Sequence, residues 1–126
     1  MTFHVGSPFG PEDVAFSLDR PNHRVGPPPP WTRSVASVAR VDVVDATSTI
    51  VRTKTPKPML MDEIGNVFMV SKTVDTGANT EDFNTGRATI GTGPYRFVSW
   101  QRGDRLELQG CKPHWRGAPE ASEGLK

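Results

Sequence analysis

Twelve glycines and twelve prolines, about a fifth of the 126 residues, hold this chain to short elements joined by many turns. Gly6-Ser7-Pro8 is such a turn, and it feeds a helix. Pro11 suits the first helical position, where no backbone donor is required, and Gly10 stands at the N-cap. Glu12 and Asp13 set negative charge against the positive end of the helix dipole. Val14 and Leu18 fall on one face, and Phe9 is placed to fold over it as a staple. Pro21 disfavours helical geometry at the residue before it, which predicts a stop near Arg20.

A loop then runs to Pro30, closed by the four prolines Pro27 to Pro30. Such a run favours a stiff polyproline II rod, either a spacer for Trp31 or a ligand for a proline-reading module. Trp31 to Val38 reads as a short helix. Val41 to Val44 and Thr49 to Thr53 read as a β-hairpin turning at Asp45 to Ser48, because β-branched residues dominate both arms. Met59 to Val67 has helical spacing, and Phe68 to Ser71 is a short apolar strand or loop. Thr73 to Gly91 is a long polar surface loop with one turn of helix around Thr80 to Phe83. Tyr95 to Trp100 and Arg105 to Leu108 are two strands, with Leu106 and Leu108 on a dry face and Arg105 and Glu107 on a wet one. The fold class is α+β: a small antiparallel sheet flanked by short helices.

Only 35% of residues are hydrophobic, so the core is modest, yet a net charge of +1 is too close to neutral for a disordered chain. The basic residues are scattered, which excludes the phosphate-tracking surface of a nucleic-acid binder. No run approaches the ~20 apolar residues that span a bilayer. The first residues lack the basic-then-apolar pattern of a signal peptide, which taken alone leaves the chain in the cytoplasm.

Catalytic constellations are not found. Cys111, the single cysteine, cannot form an internal disulfide, and the Cys111–His114 pair lacks a second pair to complete a zinc site. Glu12-Asp13 and Asp62-Glu63 are neighbours in sequence, not carboxyls facing one bond across a cleft. Gly91-Thr92-Gly93-Pro94 opens into a strand, not a helix, so it is no phosphate cradle, and its glycines are expected to supply an unusual backbone angle. Trp31 follows a stiff run in a loop, and loops often carry binding groups. It reads either as a buried anchor or as a flat apolar face for a ligand side chain.

Several phrases in order carry a family resemblance. They are Phe3-His4, Gly6-Ser7-Pro8-Phe9, Glu12 to Leu18, Arg33 to Val38, Val41 to Asp45, Asn66 to Lys72, Thr80 to Gly86, Ile90 to Tyr95 and Gly103 to Leu108. The chain resembles the peptide/nickel-type extracellular solute-binding proteins, family 5, the ligand-catching components of ABC importers. It departs from their pattern at Val5, at Gly10-Pro11 and at Gly110 to Trp115. The resemblance implies a subdomain of a type II periplasmic-binding-protein fold over residues 1–117, with a disordered tail at 118–126. It implies a piece of a longer periplasmic or extracellular parent, which closes on peptides or similar small solutes and docks on permease subunits. It implies no enzyme activity and makes Trp31 the one candidate ligand contact, while the residues themselves point to no cofactor and no metal site. The competing expectation is a small protein-interaction module that reuses this subdomain and binds no solute itself.

Overall fold

The structure is a computed structural model that describes residues 1–23, 31–111 and 114–116. The proline run and the tail at 118–126 lie outside the described residues. The element order is α1 (Pro11–His23), α2 (Thr32–Val35), β1 (Val38–Val43), β2 (Thr49–Thr53), α3 (Leu60–Ile64), α4 (Lys72–Asp75), α5 (Thr80–Asn84), β3 (Tyr95–Gln101) and β4 (Arg105–Gly110). The fold is α+β, with two separate antiparallel pairs, β1–β2 and β3–β4, in place of one small sheet. The chain divides into two compact units, Gly10–Lys72 and Met1–Phe9 together with Thr73–Lys126.

In the 10–72 unit, α1 begins at Pro11 as its sequence requires, and Asp13 Oδ2 accepts the Gly10 N–H at 2.9 Å. Leu18 is 2% exposed and forms the core with Val35 and Val67, while Val14, Trp31, Val41 and Ile64 pack around it. The helix does not stop at Arg20: Pro21 lies inside it, and α1 runs to His23. A proline in the last turn removes a single hydrogen bond where the ladder is already ending, which costs far less than one mid-helix. The β1–β2 hairpin forms, pairing Val43 with Thr49 and Val41 with Val51, but β1 already begins at Val38, where a helix was expected, and α2 ends at Val35. Its turn is closed by Asp45, whose Oδ1 accepts from the Thr47 backbone N–H at 2.7 Å and hydroxyl at 3.0 Å.

Two buried polar side chains brace this unit. Ser17, 1% exposed, donates its hydroxyl to the Asp13 carbonyl at 2.6 Å and accepts the Val70 N–H at 2.9 Å. Asp13 accepts the Lys72 N–H on Oδ1 at 2.9 Å, so both its carboxylate oxygens hold backbone donors. Residues 68–71 form no strand, and the Val70 backbone is bound to the Ser17 hydroxyl of α1.

The terminal unit starts with a tight reversal in which Gly6 has φ 84°, the Phe3 N–H donates to Ser7 at 2.9 Å, and Thr2 bridges Pro8. Phe9 stands edge-on to the Phe3 ring at 5.7 Å. The stretch after Thr73 is more ordered than its polarity predicts. It contains α4 as well as the expected α5, and it buries Asp75, Asp82 and Ala88. α5 is fixed by a capping box: Asn79 Oδ1 accepts the Asp82 N–H at 3.1 Å, and Asp82 Oδ2 accepts the Asn79 N–H at 2.8 Å. Asp82 Oδ1 takes the Arg87 guanidinium at 2.8 Å. These contacts hold the Asp82 carboxyl below its ordinary value, the Asn79 N–H first and Arg87 second, against a partial burial that raises it. Gly86 has φ 85°, and a Cβ there would overlap the Phe97 ring.

β3 and β4 pair Trp100 with Leu106 and Phe97 with Leu108, with an irregularity between Phe97 and Ser99. The expected dry side is uncovered: Val98, Trp100, Leu106 and Leu108 are each about half exposed. Glu107 is the more sheltered residue and accepts the Ser99 hydroxyl at 2.9 Å. Alternation predicts which residues share a side, but not whether anything packs on it.

Three outcomes check this account. Ser17→Ala leaves the Val70 N–H without its partner and should lower unfolding stability by about 1–3 kcal/mol in a urea titration. Gly86→Ala combines a left-handed backbone with ring overlap and should cost about 2–4 kcal/mol. Because the Asp82 carboxyl titrates lower when folded, its contribution is present above about pH 4 and is lost as pH falls through the folded value. Melting curves from about pH 5 to pH 3 should therefore fall less steeply for Asp82→Asn than for the unmodified chain, and parallel curves would contradict the assignment.

Candidate functional site

Among the described residues each unit lines an open cavity large enough for a small ligand or a few side chains. In the 10–72 unit a groove of about 600 Å³ runs between α1 and β1. Ala15, Phe16 and Leu18 meet Val35, Val38, Val41 and Val43 across it, and Glu12, Asp19, Arg40 and Lys72 supply its polar groups. The Lys72 ammonium binds Glu12 at 2.6 Å, and this hydrogen bond, followed by the charge of Lys72, holds the Glu12 carboxyl below its usual range. Both partners are well exposed, so the pair adds little to stability. The lining is mixed, and three of its charged side chains are already paired, Glu12 with Lys72 and Arg40 with Asp42.

The terminal unit holds a cavity of about 420 Å³ lined by Thr2, Phe3, His4, Thr92, Gly93, Arg96, Cys111, His114 and Trp115. The Trp115 indole N–H donates to the Thr92 carbonyl at 3.2 Å, and Arg116 stacks over the Trp115 ring at 4.6 Å. Arg96 donates from Nε to Gln109 Oε1 at 3.0 Å. His4 grips the Gly91-Thr92-Gly93 turn: its Nε2 lies 2.9 Å from the Gly93 carbonyl, and its Nδ1 accepts the Gly91 N–H at 3.3 Å. The expected role of the turn glycines is corrected here. Neither Gly91 nor Gly93 has positive φ, and the turn is shaped by His4 and not by a left-handed backbone.

Trp31 lines neither cavity. It is half-buried against the Leu18–Val35–Val67 core, with the Arg20 guanidinium 5.8 Å from its ring centre. Cys111 and His114 do share the second cavity, and the His114 N–H donates to the Cys111 carbonyl at 3.2 Å. Among the described residues no group of three or more His, Cys, Asp or Glu could hold a metal ion. The adjacent carboxylates each have separate tasks. Glu12 pairs with Lys72 while Asp13 binds backbone, and Glu63 pairs with Lys57 at 2.9 Å and Ser37 at 3.1 Å while Asp62 is exposed. The groove and the His4 grip escape sequence reasoning because they join residues far apart in the chain. The only local signal for either is the histidine of Phe3-His4, just ahead of the Gly6-Ser7-Pro8 turn.

No helix among the described residues is long and apolar enough to cross a membrane. The chain is 27% identical over 120 residues to a protein of Brucella ovis that carries the name ABC transporter peptide-binding protein, covering 91% of this chain and 22% of that one. It is 27% identical over 126 residues to the glutathione-binding protein GsiB of Pectobacterium atrosepticum, covering 95% of this chain and 23% of that one. It superposes on NikZ from Campylobacter jejuni, solved in complex with Ni(L-His), with a TM-score of 0.77 at 24% identity over 93% of this chain and 23% of the other. The chain thus spans less than a quarter of the length of these relatives. Residues 1–123 match the middle-region description of one family, and the chain belongs to the bacterial extracellular solute-binding proteins, family 5.

Proposed function

We propose that these residues are a piece of the substrate-binding component of an ABC importer for peptides or similar small solutes. The observation that carries the reading is the family match along 1–123 in a chain that spans 22% and 23% of two named relatives. Residues 1–117 are then the partial binding subdomain and 118–126 its tail. The parent acts in the periplasm or outside the cell, delivers its solute to permease subunits, and works by binding without catalysis. Trp31 is the proposed ligand contact, an aromatic face whose seat on the Leu18 core fixes its position.

Half-exposed Val98, Trp100, Leu106 and Leu108 support the same reading, since apolar side chains at this density suit a surface that more polypeptide covers. They also favour a second reading, a small interaction module that binds a protein partner through this side and takes no solute.

Calorimetric titration of mixed di- to pentapeptides separates the possibilities. The 126-residue chain should release no binding heat, while a version extended to the length of its relatives should bind. Strong binding by the short chain would overturn the proposal. Light scattering after size exclusion addresses the module: a single defined oligomer that reverts to monomer on Trp100→Lys would favour it over the importer piece.

A further inference from the structure

The chemistry of the partners of His4 dictates its protonation state. A carbonyl can only accept, so Nε2, 2.9 Å from the Gly93 oxygen, carries the proton. A backbone N–H can only donate, so Nδ1, 3.3 Å from the Gly91 nitrogen, is the bare acceptor. The His4 backbone N–H also donates to the Gly91 carbonyl at 2.9 Å. One residue thus makes three bonds to the turn that leads into β3, and the ring needs to be neutral to make both of its own. Space does not demand glycine at 91, because a Cβ there would sit 3.6 Å from His4 Cε1, an ordinary contact.

Among the described residues, the titratable or charged side chains that line the cavity with His4 are Arg96, Cys111 and His114, and no carboxylate is among them. Protonating Nδ1 therefore converts an acceptor into a donor aimed at the Gly91 N–H. It also adds positive charge beside a guanidinium and a second imidazole.

We propose that His4 is a proton-operated clasp. Neutral, it closes all three bonds between the Thr2–Gly6 reversal and the Gly91–Gly93 turn; protonated, it gives up the Gly91 N–H, and the turn is held through the Gly91 and Gly93 carbonyls alone. This inference is independent of which solute the parent binds.

The test uses the full 126-residue chain labelled with ¹⁵N. Long-range imidazole spectra at about pH 8 should place the His4 proton on Nε2. On acidification to about pH 5 the exchange protection of the Gly91 amide should fall about fivefold or more, the value of one hydrogen bond. That fall should vanish in His4→Gln, which cannot titrate, and persist in His114→Gln. A proton found on Nδ1, an unchanged Gly91 protection factor, or a fall that follows His114 and not His4 would overturn the proposal. The tautomer is read on the unmutated chain, so it decides the matter even where His4→Gln does not fold.

Discussion

Buried polar side chains that take up backbone donors are the constraint on which this structure depends. The apolar core is thin: among the described residues the buried hydrophobic side chains are Phe3, Leu18, Val35, Val67 and Ala88. A chain so rich in turns has many backbone groups outside helices and sheets, and each one withdrawn from water needs a partner. Asp13, Ser17 and Asp82 provide those partners from within, and His4 does so from a half-sheltered position. Each binds backbone that no regular ladder reaches. The segments they hold, residues 70–72, the start of α5 and the Gly91–Gly93 turn, would otherwise have little to fix them.

Local chemistry made much of the fold readable. Pro11 and the carboxylates after it mark the start of α1, the β-branched runs mark the β1–β2 hairpin, and the Asn79–Asp82 spacing underlies α5. Errors arose where distant residues overrule a local rule. Pro21 is a stop signal by its neighbours, yet it lies in the last turn, where one lost hydrogen bond is cheap. Asp13 reads as a dipole charge on a solvated surface, yet the Lys72 backbone turns it into a buried acceptor. Gly91 and Gly93 read as left-handed positions, and the reason for their turn lies almost ninety positions away in the sequence, at His4.

The candidate site was less legible than the fold. Trp31 stands out in the sequence as an aromatic after a stiff run, open to both an anchor and a ligand role, and the structure seats it half-buried against the Leu18 core. The groove between α1 and β1 has no signature, since its walls are ordinary apolar residues that become a surface only when helix and hairpin meet. The family phrases, by contrast, were fully visible, because they combine turn chemistry with the residues that the turns present.

The uncovered side of β3–β4 follows from the same argument. Trp100 and Leu106 face each other in register, with Leu108 along the strand, and half of each is left to solvent. Carbene footprinting tests most directly whether this surface belongs inside a larger protein. Labelling of Trp100, Leu106 and Leu108 should be heavy in the 126-residue chain and strongly suppressed when the same residues sit in a full-length relative-sized protein. Equal labelling in both would show that the surface was never meant to be covered, and the view of this chain as part of a larger binding protein would lose its physical basis.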